Sequence, residues 1–284
     1  MSDKNFIQIS ESFFLDPQYQ PAFTALGITS IEAVFAFQAG KTLAKDNLAP
    51  HRTRLRFDVD SPRATLFLKR YDSPPCVNQL ANWIVHRRRI SSARTEVASA
   101  QQLSQNGVST PKIIAHGQQW SVLFEKRSFI VTEKIPNADS LERKLPPCFN
   151  RPAASETLRA RRDFIADLAA FIRKFHKTNY RHRDLYLSHI FCDDDGRFHL
   201  IDLARCFRPA IFAERFRVKD IAQLYYSAPA AHFSPTDRLR FYLAYADCDK
   251  LAPQDKTFIR KVIRKVNRMA RHNIKHGRSV PFAT

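Results

Sequence analysis

Acidic side chains are scarce in this chain: 27 Asp and Glu stand against 46 Lys and Arg, a formal net charge of +19 over 284 residues. Such a field attracts polyanions, so nucleic acid, an anionic membrane surface and a phosphorylated or carboxylated substrate all fit it, and composition does not choose among them. Cysteine is sparse and unpatterned. Cys76, Cys148, Cys192, Cys206 and Cys248 are odd in number and include no C-x-x-C pair, which argues against a structural zinc site or a disulfide framework and for a reducing compartment. Long apolar runs are missing as well, so no segment is fit to cross a bilayer. The opening MSDKNFIQISESFF lacks the basic and apolar regions of a secretory signal. The expected location is therefore the cytosol, with room for contact at a membrane surface. No nucleic-acid-binding motif is present, so nucleic acid is not an expected partner.

The material for a core is there. Hydrophobic residues make up 44% of the chain and 23 Phe are spread through it, enough apolar surface to offset the entropy of ordering a chain of this length. Residues 31–71 alternate in the strand manner through IEAVFAFQAG, RTRLRFDV and RATLFLKRY, which predicts consecutive antiparallel strands. A helical segment follows from about Val77 and ends at the Asn106-Gly107 cap. PKIIAHGQQW and RSFIVTEKI are again strand-like. After Pro136 the pattern becomes helical: Phe164, Leu168, Phe171, Ile172 and Phe175 recur at helix spacing. IFCDDDGRFHLID predicts two short strands joined at Asp194-Asp195-Gly196, and KDIAQLYYSA and the rest are helical.

The chemistry concentrates in RHRDLYLSHIFCDDDGRFHLIDLARC, residues 181–206. Phosphoryl transfer asks little covalent work of a protein. It needs a cation on the nucleotide phosphates, a carboxylate to hold Mg²⁺ and a carboxylate to orient the attacking hydroxyl. The chain offers one candidate for each in the order used by the protein-kinase fold. Lys69 ends the strand TLFLKRY, Glu96 lies on the following helix, Asp184 closes His-Arg-Asp, and Asp202 stands in Ile-Asp-Leu eighteen residues later. Gly40 sits where a phosphate-covering loop would lie, but it stands alone rather than in a G-x-G-x-x-G run. The Asp193–Asp195 run lacks the spacing and distal Glu of a calcium loop and is a solvated turn. Near the C-terminus, DKTFIRKVIRKVNRMARHNIKHGR combines apolar residues at helix spacing with a dense basic face, which suits either a core-packed helix with a solvated side or contact with an anionic surface.

RSFIVTE, HRDLYLSHIF, LIDLARC and KDIAQLYYS, together with FLKRY and the region of Glu96, resemble the diagnostic segments of the bacterial lipopolysaccharide core kinase family, the Kdo/WaaP type, from about residue 30 to about residue 245. The resemblance implies an α+β, bilobal protein-kinase-like fold, with a small antiparallel-sheet N-lobe over residues 1–135 and a mainly helical C-lobe over residues 136–284, and ATP bound between them with Mg²⁺. It implies phosphorylation of a sugar hydroxyl of the lipopolysaccharide inner core, most typically on heptose, by a protein peripheral at the cytoplasmic face of the inner membrane. Asp184 carries over as catalytic base and Lys69 as the phosphate-binding lysine with Glu96 as its partner. Asp202 carries over as metal ligand, the backbone from Glu133 to Ile135 as the adenine-binding hinge, and Asp220 as the brace behind the catalytic loop. Two positions depart from the protein-kinase pattern. His189 replaces the Asn that protein kinases place five residues after the catalytic Asp; it is the second candidate metal ligand, though imidazole nitrogen matches Mg²⁺ poorly. Asp202-Leu203-Ala204 replaces Asp-Phe-Gly and removes the glycine of the usual switch. The alternatives are Kdo, another glycolipid or a small molecule as acceptor, and a non-catalytic pseudokinase that binds anionic glycolipid.

Overall fold

The computed structural model describes residues 6–43, 49–149, 155–278 and 280–283. The chain forms two compact units that are not continuous halves. One takes the chain up to Gln105, Thr110–Pro136 and Asp202–Arg205; the other takes Asn106–Ser109, Asn137–Ile201 and the chain from Cys206 onward.

The first unit contains β1 (Ile7–Ser10), β2 (Phe13–Leu15), α1 (Gln20–Ala25), α2 (Ile31–Ala36), β3 (Lys41–Thr42), β4 (Arg52–Asp60), β5 (Arg63–Asp72), α3 (Cys76–His86), α4 (Ser92–Gln105), β6 (Ile113–Trp120) and β7 (Glu125–Glu133). Among the described residues these strands form one antiparallel sheet in the order β1-β2-β6-β7-β5-β4-β3. Strand alternation sorts the side chains of β5 between two faces. Leu66 and Leu68 join Leu55, Phe57, Phe129 and Val131 in a core that also takes in Phe23, Ile31 and Val34. Tyr71 points the other way and packs with Ala93 and Val97 of α4 and with Ile130. Lys69, two residues from Tyr71, therefore emerges on the α4 face.

Two sequence expectations fail here for local reasons. The strand predicted over IEAVFAFQAG is instead α2: the Ser30 side chain accepts the Ala33 N–H at 3.1 Å as an N-cap, and Ile31 and Val34, three apart, bury together on one helix face. The single helix predicted from Val77 is two helices. Arg87 turns left-handed at φ 52 and ends α3, while α4 begins where Glu125 Oε2 accepts Ser92 N at 2.8 Å and Ser92 Oγ at 3.0 Å. That cap comes from a residue 33 positions away, which local sequence cannot show. The strands β1 and β2, ahead of the segment that resembles the kinase pattern, extend the expected small sheet at its edge.

The second unit contains β8 (Asp139–Ser140), α5 (Ser155–Lys177), β9 (Ile190–Cys192), β10 (Phe198–Leu200), α6 (Ala213–Ser227), α7 (Pro235–Ala246) and α8 (Pro253–Lys275). β9 and β10 form the expected hairpin, and β8 adds to it on the β9 side. α5 buries Ile165, Leu168, Ala169, Ile172 and Phe175 along one stripe and packs on α7; α6 packs on α8. α6 is buried on nearly all sides, and among its buried residues are the polar Asp220, Gln223 and Ser227. Buried polar groups need partners, and theirs lie within His-Arg-Asp and just after it. Among the described residues no helix is long and apolar enough to cross a membrane.

Candidate active site

Lys69 is held between two carboxylates of the first unit. Its Nζ lies 2.6 Å from Glu96 Oε1 and 3.3 Å from Asp202 Oδ1, and Arg54, its cross-strand partner on β4, reaches Asp202 Oδ2 at 3.3 Å. Burial acts to lower the Lys69 pKa, but attraction to Glu96 and then to Asp202 outweighs it, so the pKa is raised and the ammonium stays charged. Tyr71 on the same face has its phenol pushed up to about 12, by burial first and by Glu96 next. Glu96 Oε2 is buried with no hydrogen-bond partner among the described residues. Asp202 itself adopts left-handed φ 57, a conformation that costs a non-glycine residue about 1–3 kcal/mol and persists only where the surroundings impose it.

The residues expected to form the hinge, Glu133 to Ile135, also lie in this unit. Glu133 ends β7; its N–H donates to Lys112 O at 2.9 Å and the Lys134 N–H to Thr65 O at 2.8 Å. Those two donors are spent on backbone carbonyls, which leaves Ile135 as the expected hinge position whose N–H is not committed in that way. The Glu133 carboxylate accepts the Tyr19 hydroxyl, whose pKa burial, foremost, and Glu133 raise to about 12.

Gly40 immediately precedes β3 with φ +139, and a Cβ there would meet Arg56 O at 2.7 Å. Close approach to β4 explains the glycine. The β3–β4 connection that follows contains Ala44–Leu48, which lie outside the described residues, and it has no glycine.

In the second unit α6 holds the backbone around Asp184. Asp220 accepts the His182 and Arg183 N–H groups, one on each oxygen, both at 2.8 Å. Gln223 Oε1 accepts Leu185 N at 3.2 Å and Ser227 Oγ accepts Leu187 N at 3.0 Å. Positions 220, 223 and 227 share one helix face. Arg183 is left-handed at φ 69, the second strained position at the candidate site. His182 Nε2 donates to Ile201 O at 3.0 Å, tying this segment to the end of the hairpin. Behind Asp220, His176 Nε2 lies 3.3 Å from Asp220 Oδ2 and its Nδ1 2.8 Å from Tyr245 Oη.

Lys219 donates to Arg183 O and lies 3.9 Å from Asp184 Oδ1. His189 Nδ1 lies 2.7 Å from Asp184 O; a carbonyl only accepts, so Nδ1 carries the proton and a neutral ring keeps its lone pair on Nε2. Among the described residues no group of three or more His, Cys, Asp or Glu side chains is gathered for a metal. Asp202 supplies hard carboxylate oxygen, which suits Mg²⁺ of the kind held by one or two carboxylates plus substrate phosphates and water. All five cysteines are free thiols.

Sequence reasoning missed Arg54, Lys219, Gln223 and Ser227. Only the last two left a signal: polar residues three and seven positions after Asp220 in the otherwise apolar stretch IAQLYYS.

The description of the lipopolysaccharide kinase (Kdo/WaaP) family matches residues 76–245, a range that contains Glu96, Asp184, His189, Asp202 and Asp220 and begins after Lys69. The chain is similar to the lipopolysaccharide core heptose(I) kinase WaaP of Pseudomonas aeruginosa, 30% identical over 171 residues that cover 58% of this chain and 63% of that protein, so it spans less than two thirds of that relative. It is 29% identical over 201 residues to the protein of the same name from Escherichia coli strain K12, covering 68% of this chain and 74% of that one. Among solved structures it resembles WaaP in complex with acyl carrier protein, with a TM-score of 0.63 and 25% identity over 88% of this chain and 96% of that chain. The fold is α+β and kinase-like.

Proposed function

The chain belongs to the lipopolysaccharide kinase (Kdo/WaaP) family, and from that premise we propose that it transfers the γ-phosphoryl group of ATP to a sugar hydroxyl, most typically of heptose, in the lipopolysaccharide inner core. The observation that carries the reading is Lys69 held charged between Glu96 and Asp202, the arrangement a nucleotide-phosphate cation requires. Lys69 binds the phosphates and Glu96 keeps it charged and aimed. Mg²⁺ bound through Asp202 would neutralise charge on the nucleotide phosphates, with His189 Nε2 the weaker candidate ligand. Asp184 accepts the proton of the acceptor hydroxyl as its oxygen bonds to phosphorus and ADP departs. Lys219, beside Asp184, offsets charge that develops there. Ile135 offers the hinge N–H to adenine.

The acceptor follows from the relatives, which are named as heptose(I) kinases. An inner-membrane, cytoplasmic-face location fits α8: Arg260, Arg264, Arg268, Arg271 and Lys275 recur at three- and four-residue steps along one exposed line, and the chain has no Asp or Glu after Asp255. Acyl carrier protein, present with the solved relative, is a partner to test by co-purification.

The deciding experiment is transfer of labelled γ-phosphate from ATP·Mg²⁺ to dephosphorylated inner-core lipopolysaccharide, with Asp184→Asn as control and heptose-bearing against Kdo-only acceptors. Label on the heptose-bearing glycolipid alone, lost in the variant, supports the reading. Label on the Kdo-only acceptor moves the assignment to Kdo, and retained ATP binding with no labelled glycolipid overturns the acceptor.

A further inference from the structure

A polar cavity of about 870 Å³ lies wholly within the second unit, walled by the C-terminal turns of α5 and α7, the first turns of α6 and the first turns of α8. None of the residues assigned to transfer lines it. Two ion pairs occupy part of its wall, Arg173 with Asp247 and Lys261 Nζ with Glu214 Oε1 at 2.5 Å. Three further cations line it, Lys177, Arg181 and Arg217, and among the described residues none of these makes an ion pair.

Arg217 shares a side-chain hydrogen bond with Tyr245 but is only partly satisfied. Its guanidinium lies 4.6 Å over the Phe258 ring, and its Nε is buried with no hydrogen-bond partner among the described residues. Arg181, 6% exposed, donates to the carbonyls of His176 at 3.1 Å and Tyr180 at 2.6 Å. Burial lowers its pKa first; Tyr245 and then Asp220 oppose this, and repulsion from Arg217 adds to the lowering. The same two arginines help hold His176 neutral. Two guanidiniums that repel each other beside a roomy polar cavity form a site that an anion would relieve, and guanidinium forks match phosphate geometry. The cavity is far larger than a phosphate ion needs and falls in the size range of small-molecule sites. Tyr242, Tyr245 and Phe258 add ring surface to its lining, which suits the apolar face of a sugar.

We propose that this cavity binds a phosphorylated sugar, its phosphate on Arg217, Arg181 and Lys177 and its ring against Phe258 and Tyr245. The assignment does not depend on which acceptor meets Asp184.

The test is calorimetric titration of the full chain with glucose 6-phosphate, glucose and inorganic phosphate, for wild type, Arg217→Gln and Lys177→Gln. Glucose 6-phosphate should bind saturably and glucose should not. Arg217→Gln should weaken binding roughly tenfold or more, the loss of one charge-assisted hydrogen bond. Lys177 is exposed, so Lys177→Gln leaves the fold intact, and a weaker affinity at unchanged melting temperature locates the phosphate in this cavity. Absence of saturable binding overturns the proposal. Equal affinity for inorganic phosphate and glucose 6-phosphate overturns the sugar assignment, and equal binding by both variants and wild type puts the ligand elsewhere. The readout is equilibrium binding, so its failure is distinct from a failure to detect phosphoryl transfer.

Discussion

Asp220 holds Arg183 in a left-handed conformation: its Oδ1 accepts the Arg183 N–H at 2.8 Å while Arg183 sits at φ 69. The other oxygen takes the neighbouring His182 N–H at the same distance. A fully buried carboxylate thus offsets local strain immediately before Asp184.

Asp220→Ala leaves both N–H groups without their acceptor. At about 1–3 kcal/mol for each buried donor, the variant should lose several kcal/mol of stability in denaturant unfolding. Asp220→Asn keeps one acceptor oxygen and should lose less, with kcat lowered and the KM for ATP nearly unchanged. An Asp220→Asn enzyme with wild-type kcat would show that the brace does not position Asp184.

Lys69→Met removes the cation between Glu96 and Asp202. Breaking a mostly buried pair from one side costs about 3 kcal/mol, read as a lower melting temperature, and transfer should fall by orders of magnitude. Adding Glu96→Gln should restore much of the stability and none of the transfer. A double variant as unstable as the single one would mean that the unpaired Glu96 charge is not the cause.

Gly40→Ala should destabilise by on the order of 1–3 kcal/mol, because the new Cβ would meet Arg56 O and the backbone is at φ +139. The KM for ATP of the folded fraction should be unchanged. A raised KM would support the phosphate-covering role for Gly40.

His176 gives stability a defined pH dependence. Burial, foremost, lowers its pKa from the ordinary 6.5, Asp220 opposes this, and Arg181 and Arg217 add to it. Below pH 6.5 the unfolded chain takes up a proton that the folded chain refuses, so stability falls with falling pH until the folded value is passed, at most about 1.4 kcal/mol per pH unit. His176→Gln should show a shallower decline between pH 7 and 5, whatever its absolute stability. Parallel curves for the two proteins would rule His176 out as the source.

Replacing Arg264, Arg268 and Arg271 together with Gln should weaken sedimentation with vesicles containing anionic phospholipid by roughly a hundredfold, at about 1 kcal/mol for each charge near the surface. Binding should fall with salt and be absent on neutral vesicles. Equal binding by variant and wild type would assign the α8 face to solvent.

Much of the architecture was legible because its signals are short in range. The Phe and Leu spacing of α5, the Asp-Asp-Gly turn between β9 and β10, and the Gly107 cap each depend on neighbours within a helical turn or a hairpin. The order Lys69, Glu96, Asp184, Asp202 was visible because phosphoryl transfer calls for those residue types in that succession, although Lys69 lies inside β5 and Glu96 inside α4. IEAVFA misled because its apolar residues fit period two as well as a single helical turn, and the Ser30 cap and the burial of Ile31 with Val34 decided between them.

What the sequence by itself determined is the set of chemical groups and the local elements that carry them. The tertiary structure alone decided which groups meet. Arg54 faces Asp202 through the β4–β5 register, Glu125 caps α4 from another strand, Gln223 and Ser227 reach the backbone after Asp184, and Arg217 stands beside Arg181 with no ion pair among the described residues. These relationships join residues tens of positions apart, and they arise from sheet register and helix packing, which sum burial over many side chains and leave no mark in any short stretch of the chain.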